Sequence, residues 1–210
     1  MAAIKSADVF VVDDDVALCE SISSLLRSIG LKVKTFSSGL SFLNAAEIEH
    51  PDCVILDVRL QGENGLDLPT MMRSKNIDSP VVFISGHGDI RMSVSAMKTG
   101  ALDFLAKPFR DQELLDSVAM SIKQCNERRN ASDMLASLRT RHSTLTTRER
   151  QVMTHAVNGL MNKQIASLLG LSEVTVKIHR KQAMDKMCAR TFADLVKMEV
   201  MLYDTTKYGS

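Results

Sequence analysis

Asp13, Asp14, Asp57, Ser85 and Lys107 each stand at or just past the end of a short apolar run. Val9-Phe10-Val11-Val12 leads into Asp13-Asp14-Asp15, and Val54-Ile55-Leu56 into Asp57. Val81-Val82-Phe83-Ile84 delivers Ser85-Gly86, and the weaker run Phe104-Leu105-Ala106 delivers Lys107-Pro108. Short apolar runs bounded by turn residues read as buried parallel strands. In an open parallel sheet, function collects at the carboxyl ends of the strands. Carboxylates from Asp13, Asp14 and Asp57 meeting there would repel one another and call for a cation. An all-oxygen donor set suits Mg²⁺, which often also binds phosphate oxygens. A lysine and a hydroxyl beside it could hold the other oxygens of a phosphoryl group.

The elements between these runs alternate. Asp8–Val12 reads as a strand, followed by a helix from about Val16 to Ile29, closed by Gly30. Lys32–Phe36 is a second strand, and residues 38–46 form a short helix. The strand ending at Asp57 precedes a helix over Asn64–Ser74. Val81–Ser85 precedes a helix over Ile90–Lys98, and the strand before Lys107 precedes one that starts near Asp111. This βα alternation predicts a flavodoxin-like α/β unit, a five-stranded parallel sheet of order 2-1-3-4-5 covered by helices on both faces. That order brings the ends of strands one, three, four and five to one crevice. Each residue has a plainer reading: Asp57 alone is a turn residue, Asp13-Asp14-Asp15 a helix cap, and Lys107 a surface lysine. Their arrival at four strand ends is what favours chemistry. His87 reads as a loop histidine, and Met71-Met72, Met92 and Met97 as core filler.

At 210 residues with a net charge of +1, the chain accommodates one large domain or two small ones. The small net charge conceals an asymmetry. Residues 1–123 carry 17 acids against 12 bases, whereas residues 124–210 carry 8 acids against 14 bases. An acidic half joined to a basic half suggests a metal or phosphate site followed by a nucleic-acid binder. The cysteines Cys19, Cys53, Cys125 and Cys188 have neither metal nor redox spacing and read as reduced thiols, mostly in cores, of a cytoplasmic protein. No stretch has the length and apolarity of a signal peptide or a membrane span.

From Asp111 to His142 neither Pro nor Gly interrupts a helical pattern. The reading is one long connector helix, or two broken near Asn130. Its stripe of Met134, Leu135 and Leu138 could pair with another chain or remain solvated. Beyond it, Thr146 and Glu149 form a capping box, and Gly159 closes the helix they begin. A short helix, Asn162–Leu169, turns through Gly170-Leu171 into a helix that Ser172 caps and that runs to about Met187. The last helix covers about Thr191–Leu202. Two helices joined by a short Gly-containing turn, the second one basic, form a helix-turn-helix.

Asp13-Asp14, Asp57, Ser85 and Lys107-Pro108-Phe109, in this order and spacing, resemble the receiver domain of bacterial response regulators over about residues 6–125. The resemblance implies that Asp57 accepts a phosphoryl group from a sensor histidine kinase. It implies that Asp14, Asp57 and the Arg59 carbonyl bind Mg²⁺ with Asp13 helping through water, that Ser85 and Lys107 hold the phosphoryl oxygens, and that Phe104 is the aromatic switch. It also implies a cis Lys107-Pro108 bond. Gln61 stands where many receivers carry proline. Leu145-Thr146-x-Arg148-Glu149, Gly159-Leu160-x-Asn162-Lys163-x-Ile165-Ala166 and Thr175-Val176-Lys177-x-His179 resemble the LuxR-type DNA-binding domain over about residues 143–202. By that resemblance Thr175, Lys177 and His179 begin the recognition helix, Lys177, Arg180 and Lys181 contact DNA, and Asn162 and Lys163 lie near its backbone. Together the halves are similar to NarL/FixJ-type two-component regulators: a receiver over residues 1–123, a helical connector over 124–142 and an all-α helix-turn-helix domain over 143–210. The expected partners are a sensor histidine kinase, double-stranded DNA, a second copy of the chain when phosphorylated, and RNA polymerase, with no membrane. The rival class is a Mg²⁺-dependent phosphatase on the same α/β scaffold, with Asp57 as nucleophile. Haloacid-dehalogenase-like phosphatases instead place the nucleophile after strand one in an Asp-x-Asp, which Asp13-x-Asp15 contains. Either form leaves the helix-turn-helix unexplained and offers no substrate-binding cap, so the expectation is a regulator, not an enzyme.

Overall fold

The computed structural model describes residues 7–86, 94 and 96–208, with side chains through 203. The chain divides into two compact units, Met1–Arg128 and Arg129–Ser210. In the first, β1 (Asp8–Val12), β2 (Lys32–Phe36) and β3 (Cys53–Asp57) are followed by a small antiparallel hairpin, β4 (Arg59–Leu60) with β5 (Glu63–Asn64), and then by β6 (Val81–Ser85) and β7 (Asp103–Ala106). Apart from the hairpin, the strands form one parallel sheet of order β2-β1-β3-β6-β7. With β6 and β7 as its fourth and fifth strands, this is the expected order.

Period-two alternation gives the sheet its two buried faces. Phe10, Val12, Val54, Leu56 and Phe83 point to one side, where α2 (Gly39–Glu49) and α3 (Leu68–Ser74) cover them with Phe42, Leu43, Leu68 and Met72. Val9, Val11, Cys53, Ile55, Val82 and Ile84 point to the other. There α1 (Val16–Ser28) supplies Ile22 and Leu26, and α4 (Asp111–Ser143) supplies Leu114, Val118 and Ile122. Because β3 is covered on both faces, all five of its residues are buried, including the carboxylate that ends it.

Several boundaries differ from expectation for local reasons. The α2 helix runs on to Glu49, where His50 takes a left-handed conformation at φ 47° and stops it. The helix expected over Asn64–Ser74 begins only at Leu68, after the hairpin and a 3₁₀ turn over Gly65–Asp67, with Pro69 in its first turn. On α3, Met72 lies one turn from Leu68 and is buried, while Met71 turns outward and is 47% exposed. Met97 is 51% exposed, so it too is surface and not core filler. His87, Met92 and most of the helix expected over Ile90–Lys98 lie outside the described residues; residues 96–98 are helical.

α4 is a single helix with no break at Asn130. Its apolar stripe is not a uniform pairing face. Leu138 is 2% exposed and belongs to the core of the second unit, with Leu145, Met153, Ala183, Met187 and Leu195. That unit continues with α5 (Thr147–Val157), α6 (Asn162–Leu169), α7 (Glu173–Met187) and α8 (Phe192–Tyr208). Both halves of the Thr146–Glu149 capping box are formed. Gly170, at φ 66°, makes the left-handed turn that lets α6 stop and α7 start three residues after it. α8 begins with reciprocal bonds between Thr191 and Asp194 and runs beyond Leu202, since no Gly or Pro intervenes before Gly209. No helix among the described residues is long and apolar enough to cross a membrane.

Candidate functional site

At the carboxyl end of the sheet, Asp13, Asp14 and Asp57 each present a carboxylate oxygen within 4.8 Å of the others, an arrangement able to hold a metal ion. Asp57 closes β3, and its Oδ1 accepts from the Arg59 amide at 3.0 Å. Asp13 follows β1, and its Oδ1 accepts from the Asp15 amide at 2.8 Å. Lys107 follows β7. Its Nζ lies 2.7 Å from Asp13 Oδ2 and 2.7 Å from Asp57 Oδ2, so one ammonium bridges two carboxylates. Ser85 closes β6, is 1% exposed, and fixes the course of the Lys107 segment by accepting the Lys107 amide on its carbonyl at 2.8 Å. The Lys107-Pro108 bond is cis.

The electrostatics follow from crowding. Burial raises the Asp13 carboxyl above its ordinary value; Lys107 and the Asp15 amide oppose that shift without cancelling it, and the Asp57 charge adds to it. Burial pulls the Lys107 ammonium down, but its hydrogen bonds and charge pairing with Asp13 and Asp57 win, and its pKa is raised. The lysine is therefore cationic at neutral pH. One cation against three nearby carboxylates leaves a net negative crevice, which attracts a further cation.

Asp15 does not join the cluster: its carboxylate caps α1 by accepting the Leu18 amide at 3.1 Å. Phe104 lies on β7 opposite Phe83 and packs, half-buried, against the α2/α3 side of the core. Sequence reasoning missed the tight backing behind Asp57. Gly65 donates its amide to the Val58 carbonyl, and a Cβ at Gly65 would run into the Asp57 carbonyl oxygen. The pair Gly62 and Gly65 was the available signal.

In the second unit, Lys177 and Lys181 are exposed on α7, and Lys163 is exposed on α6. Thr175 is half-buried, with its hydroxyl 2.8 Å from that of the cap residue Ser172. Arg180 is turned inward by comparison, its guanidinium 4.2 Å above the Phe192 ring. Asn162 and His179 are half-buried, and Asn162 Oδ1 and His179 Nδ1 have no hydrogen-bond partner among the described residues. Val174 and Ile178, one turn apart, are 66% and 51% exposed and put apolar surface among these polar groups. Ile178 was not anticipated, although its spacing from the buried Val176 already placed it on the outer face.

A family model described as the response regulator receiver domain matches residues 9–119, and one described as bacterial regulatory proteins, luxR family, matches residues 143–199. Nodulation protein W of Bradyrhizobium diazoefficiens is 48% identical over 200 residues, covering 95% of this chain and 88% of its own. The transcriptional regulatory protein FixJ of Azorhizobium caulinodans is 39% identical over 197 residues, covering 94% and 93%. Among solved structures, that of the response regulator StyR superposes with a TM-score of 0.81 at 44% identity, covering 92% of this chain and 98% of the other.

Proposed function

Given that this chain belongs to the two-component response regulators that join a receiver domain to a LuxR-type DNA-binding domain, we propose that a phosphoryl group carried on Asp57 controls its binding to DNA. The observation that carries this reading is the Lys107 ammonium held 2.7 Å from both Asp13 and Asp57 at the mouth of the acidic cluster. The domains are assigned as receiver 1–123, helical connector 124–142 and DNA-binding domain 143–210. The phosphoryl donor is a phosphohistidine of a sensor kinase. Asp57 attacks phosphorus with a carboxylate oxygen, the P–N bond breaks, and its electron pair leaves on the imidazole nitrogen.

The all-oxygen donor set fits Mg²⁺, which Asp14, Asp57 and the Arg59 carbonyl would hold, with Asp13 acting through water. Bound there, the ion would supply positive charge to the phosphoryl oxygens. Lys107 exchanges its Asp57 contact for a phosphoryl oxygen, and the Ser85 hydroxyl donates to another. Movement of Ser85 then opens room for Phe104 to turn inward, which reshapes the nearby surface for pairing with a second copy. Paired chains present two α7 helices to two half-sites of double-stranded DNA, about one helical turn apart. Thr175, Lys177, His179 and Lys181 supply the groove and phosphate contacts, and Asn162 and Lys163 approach the backbone. Arg180 joins them by leaving Phe192. RNA polymerase is the downstream partner, and the cytoplasm the compartment. A phosphatase built on Asp13-x-Asp15 is disfavoured because the Asp15 carboxylate is engaged as a helix cap.

The test is incubation with Mg²⁺ and a small acyl phosphate. The protein should gain one acid-stable, base-labile phosphoryl group, and Asp57→Asn should gain none, since an amide is neither nucleophile nor anion. Full labelling of that variant would remove Asp57 from the mechanism, and turnover of an external phosphate ester would revive the enzyme.

A further inference from the structure

The two ends of α7 are built for different tasks. Its first nine residues expose Val174, Lys177, Ile178 and Lys181. Its last turn is tied down. Ala183 and Met187 are fully buried against Leu138 of α4 and Leu145 of the following turn. Polar bonds come from the same two places. Arg141, in the last turn of α4, donates from Nη1 to the Met187 carbonyl at 3.4 Å. Lys186 donates from Nζ to the Thr144 carbonyl at 3.3 Å and lies 2.7 Å from Glu149 Oε2. That Glu149 oxygen also accepts the Thr146 amide at 2.8 Å, closing the cap of α5. Cys188 ends α7 in a left-handed conformation at φ 57°. The end of the connector helix, the turn after it and the start of α5 thus converge on residues 186 and 187.

We propose that Arg141 and Lys186 are positioning residues for DNA reading, which hold the far end of α7 so that its exposed half meets base edges at one fixed tilt. The proposal rests on the reading of α7 as the recognition helix. Geometry gives the leverage. At 1.5 Å per residue, Lys177 lies about 14 Å along the helix from Lys186. A tilt of about 10° at the anchored end therefore displaces the Lys177 backbone by about 2 Å, well outside the narrow distance range of a hydrogen bond to a base. Phosphate contacts tolerate such a shift far better, because long cationic side chains follow the backbone charge wherever it lies. Loosening the anchor should thus cost selectivity before it costs non-specific affinity. Arg141 also makes the connector helix part of the DNA-reading unit: its last turn supplies one of the bonds that hold α7.

The experiment uses the full-length phosphorylated protein and two duplexes of equal length, one selected from random sequence by the wild type and one unrelated. Arg141→Met, Lys186→Met and Glu149→Gln should each weaken binding to the selected duplex about tenfold and leave the unrelated duplex nearly unchanged. The dependence on salt should keep its wild-type slope, and Arg141→Lys, which still offers a donor to the Met187 carbonyl, should recover most of the loss. Thermal melting of each variant verifies that it is folded at the assay temperature, and Arg141→Lys gives a mild substitution should Arg141→Met fail that check. Equal losses on both duplexes with a shallower salt slope would make these residues phosphate contacts and overturn the proposal. Folded variants with unchanged selectivity would reduce the bonds to packing and overturn it as well. A wild type that selects no sequence would instead bring down the recognition-helix reading, and the positioning role with it.

Discussion

Lys107 in the first unit and Lys186 in the second each lie 2.7 Å from a buried carboxylate, yet the two carboxylates respond in opposite directions. Burial acts on both. It dominates at Asp13, whose pKa is raised even with Lys107 beside it, because the Asp57 charge adds to the penalty and the lysine is shared. At Glu149 burial also pushes upward, but Lys186 and the reciprocal bonds with Thr146 outweigh it, and the pKa is lowered. The difference is one of charge balance. The crevice of the first unit holds more negative charge than its own cation can compensate. The Glu149 pair is matched one to one, and the same carboxylate oxygen also accepts the Thr146 amide.

The largest effect that separates these two arrangements is expected from Lys107→Met. Removing the shared cation strands Asp13 and Asp57 beside each other and should destabilise the first unit by about 2–4 kcal/mol, less than a fully buried pair because the lysine is partly solvated. Urea unfolding should register the loss, and millimolar Mg²⁺ should restore part of it if the acidic cluster binds the ion. An unchanged midpoint would mean that the crevice is not electrostatically strained. Gly65→Ala tests the backbone behind the same carboxylate. Its Cβ meets the Asp57 carbonyl, which belongs to a buried strand and cannot move aside, so a loss of about 1–3 kcal/mol is expected, together with slower phosphorylation.

The crevice was the more legible of the two regions in the sequence. Each of its residues ends an apolar run, and a parallel sheet converts that one-dimensional fact into a shared position. The hairpin over 59–64 was not legible, because two-residue strands are too short to show alternation. Nor was the split ownership of α4. Met134, Leu135 and Leu138 read as one stripe, whereas Leu138 packs inside its own chain and Met134 is 51% exposed. Arg180 carried the same kind of ambiguity: its place on a basic helix pointed to DNA, and only the fold brings Phe192 beneath it. The Lys186–Glu149 pair and the Arg141 bond join residues 37 and 46 positions apart, and no local pattern marks them.

A smaller effect, of opposite sign to the first, is expected from Asp13→Asn. The substitution removes one negative charge from the crowded side, and Lys107 keeps Asp57 as its partner at 2.7 Å. The first unit should gain up to about 1 kcal/mol in the absence of divalent ions, measured as a higher urea midpoint. The gain should come with weaker Mg²⁺ affinity and slower phosphorylation, which separates strain held at a site from strain without function. Loss of stability would indicate that Asp13 is held by Lys107 as firmly as Glu149 is by Lys186, and the contrast between the two regions would disappear.

The smallest expected effect concerns Glu149 itself and fixes the sign of its contribution. A carboxylate whose folded pKa lies below the ordinary 4.5 binds fewer protons folded than unfolded in the window between those values. Its stabilisation is fully present above about pH 4.5 and is lost as the pH falls through the folded value. Glu149→Gln should therefore lower the protection of α5 amides against hydrogen exchange by a constant amount near neutral pH, and that difference should shrink as the solution is acidified. Glu199, buried near Thr154, provides the internal control, because burial raises its pKa. The folded form then binds more protons than the unfolded, so its contribution falls as the pH rises above about 4.5, and Glu199→Gln should flatten that limb instead. A Glu149→Gln difference that grew on acidification would mean that burial, not Lys186, governs this carboxylate, and α7 would lose its best-matched anchor.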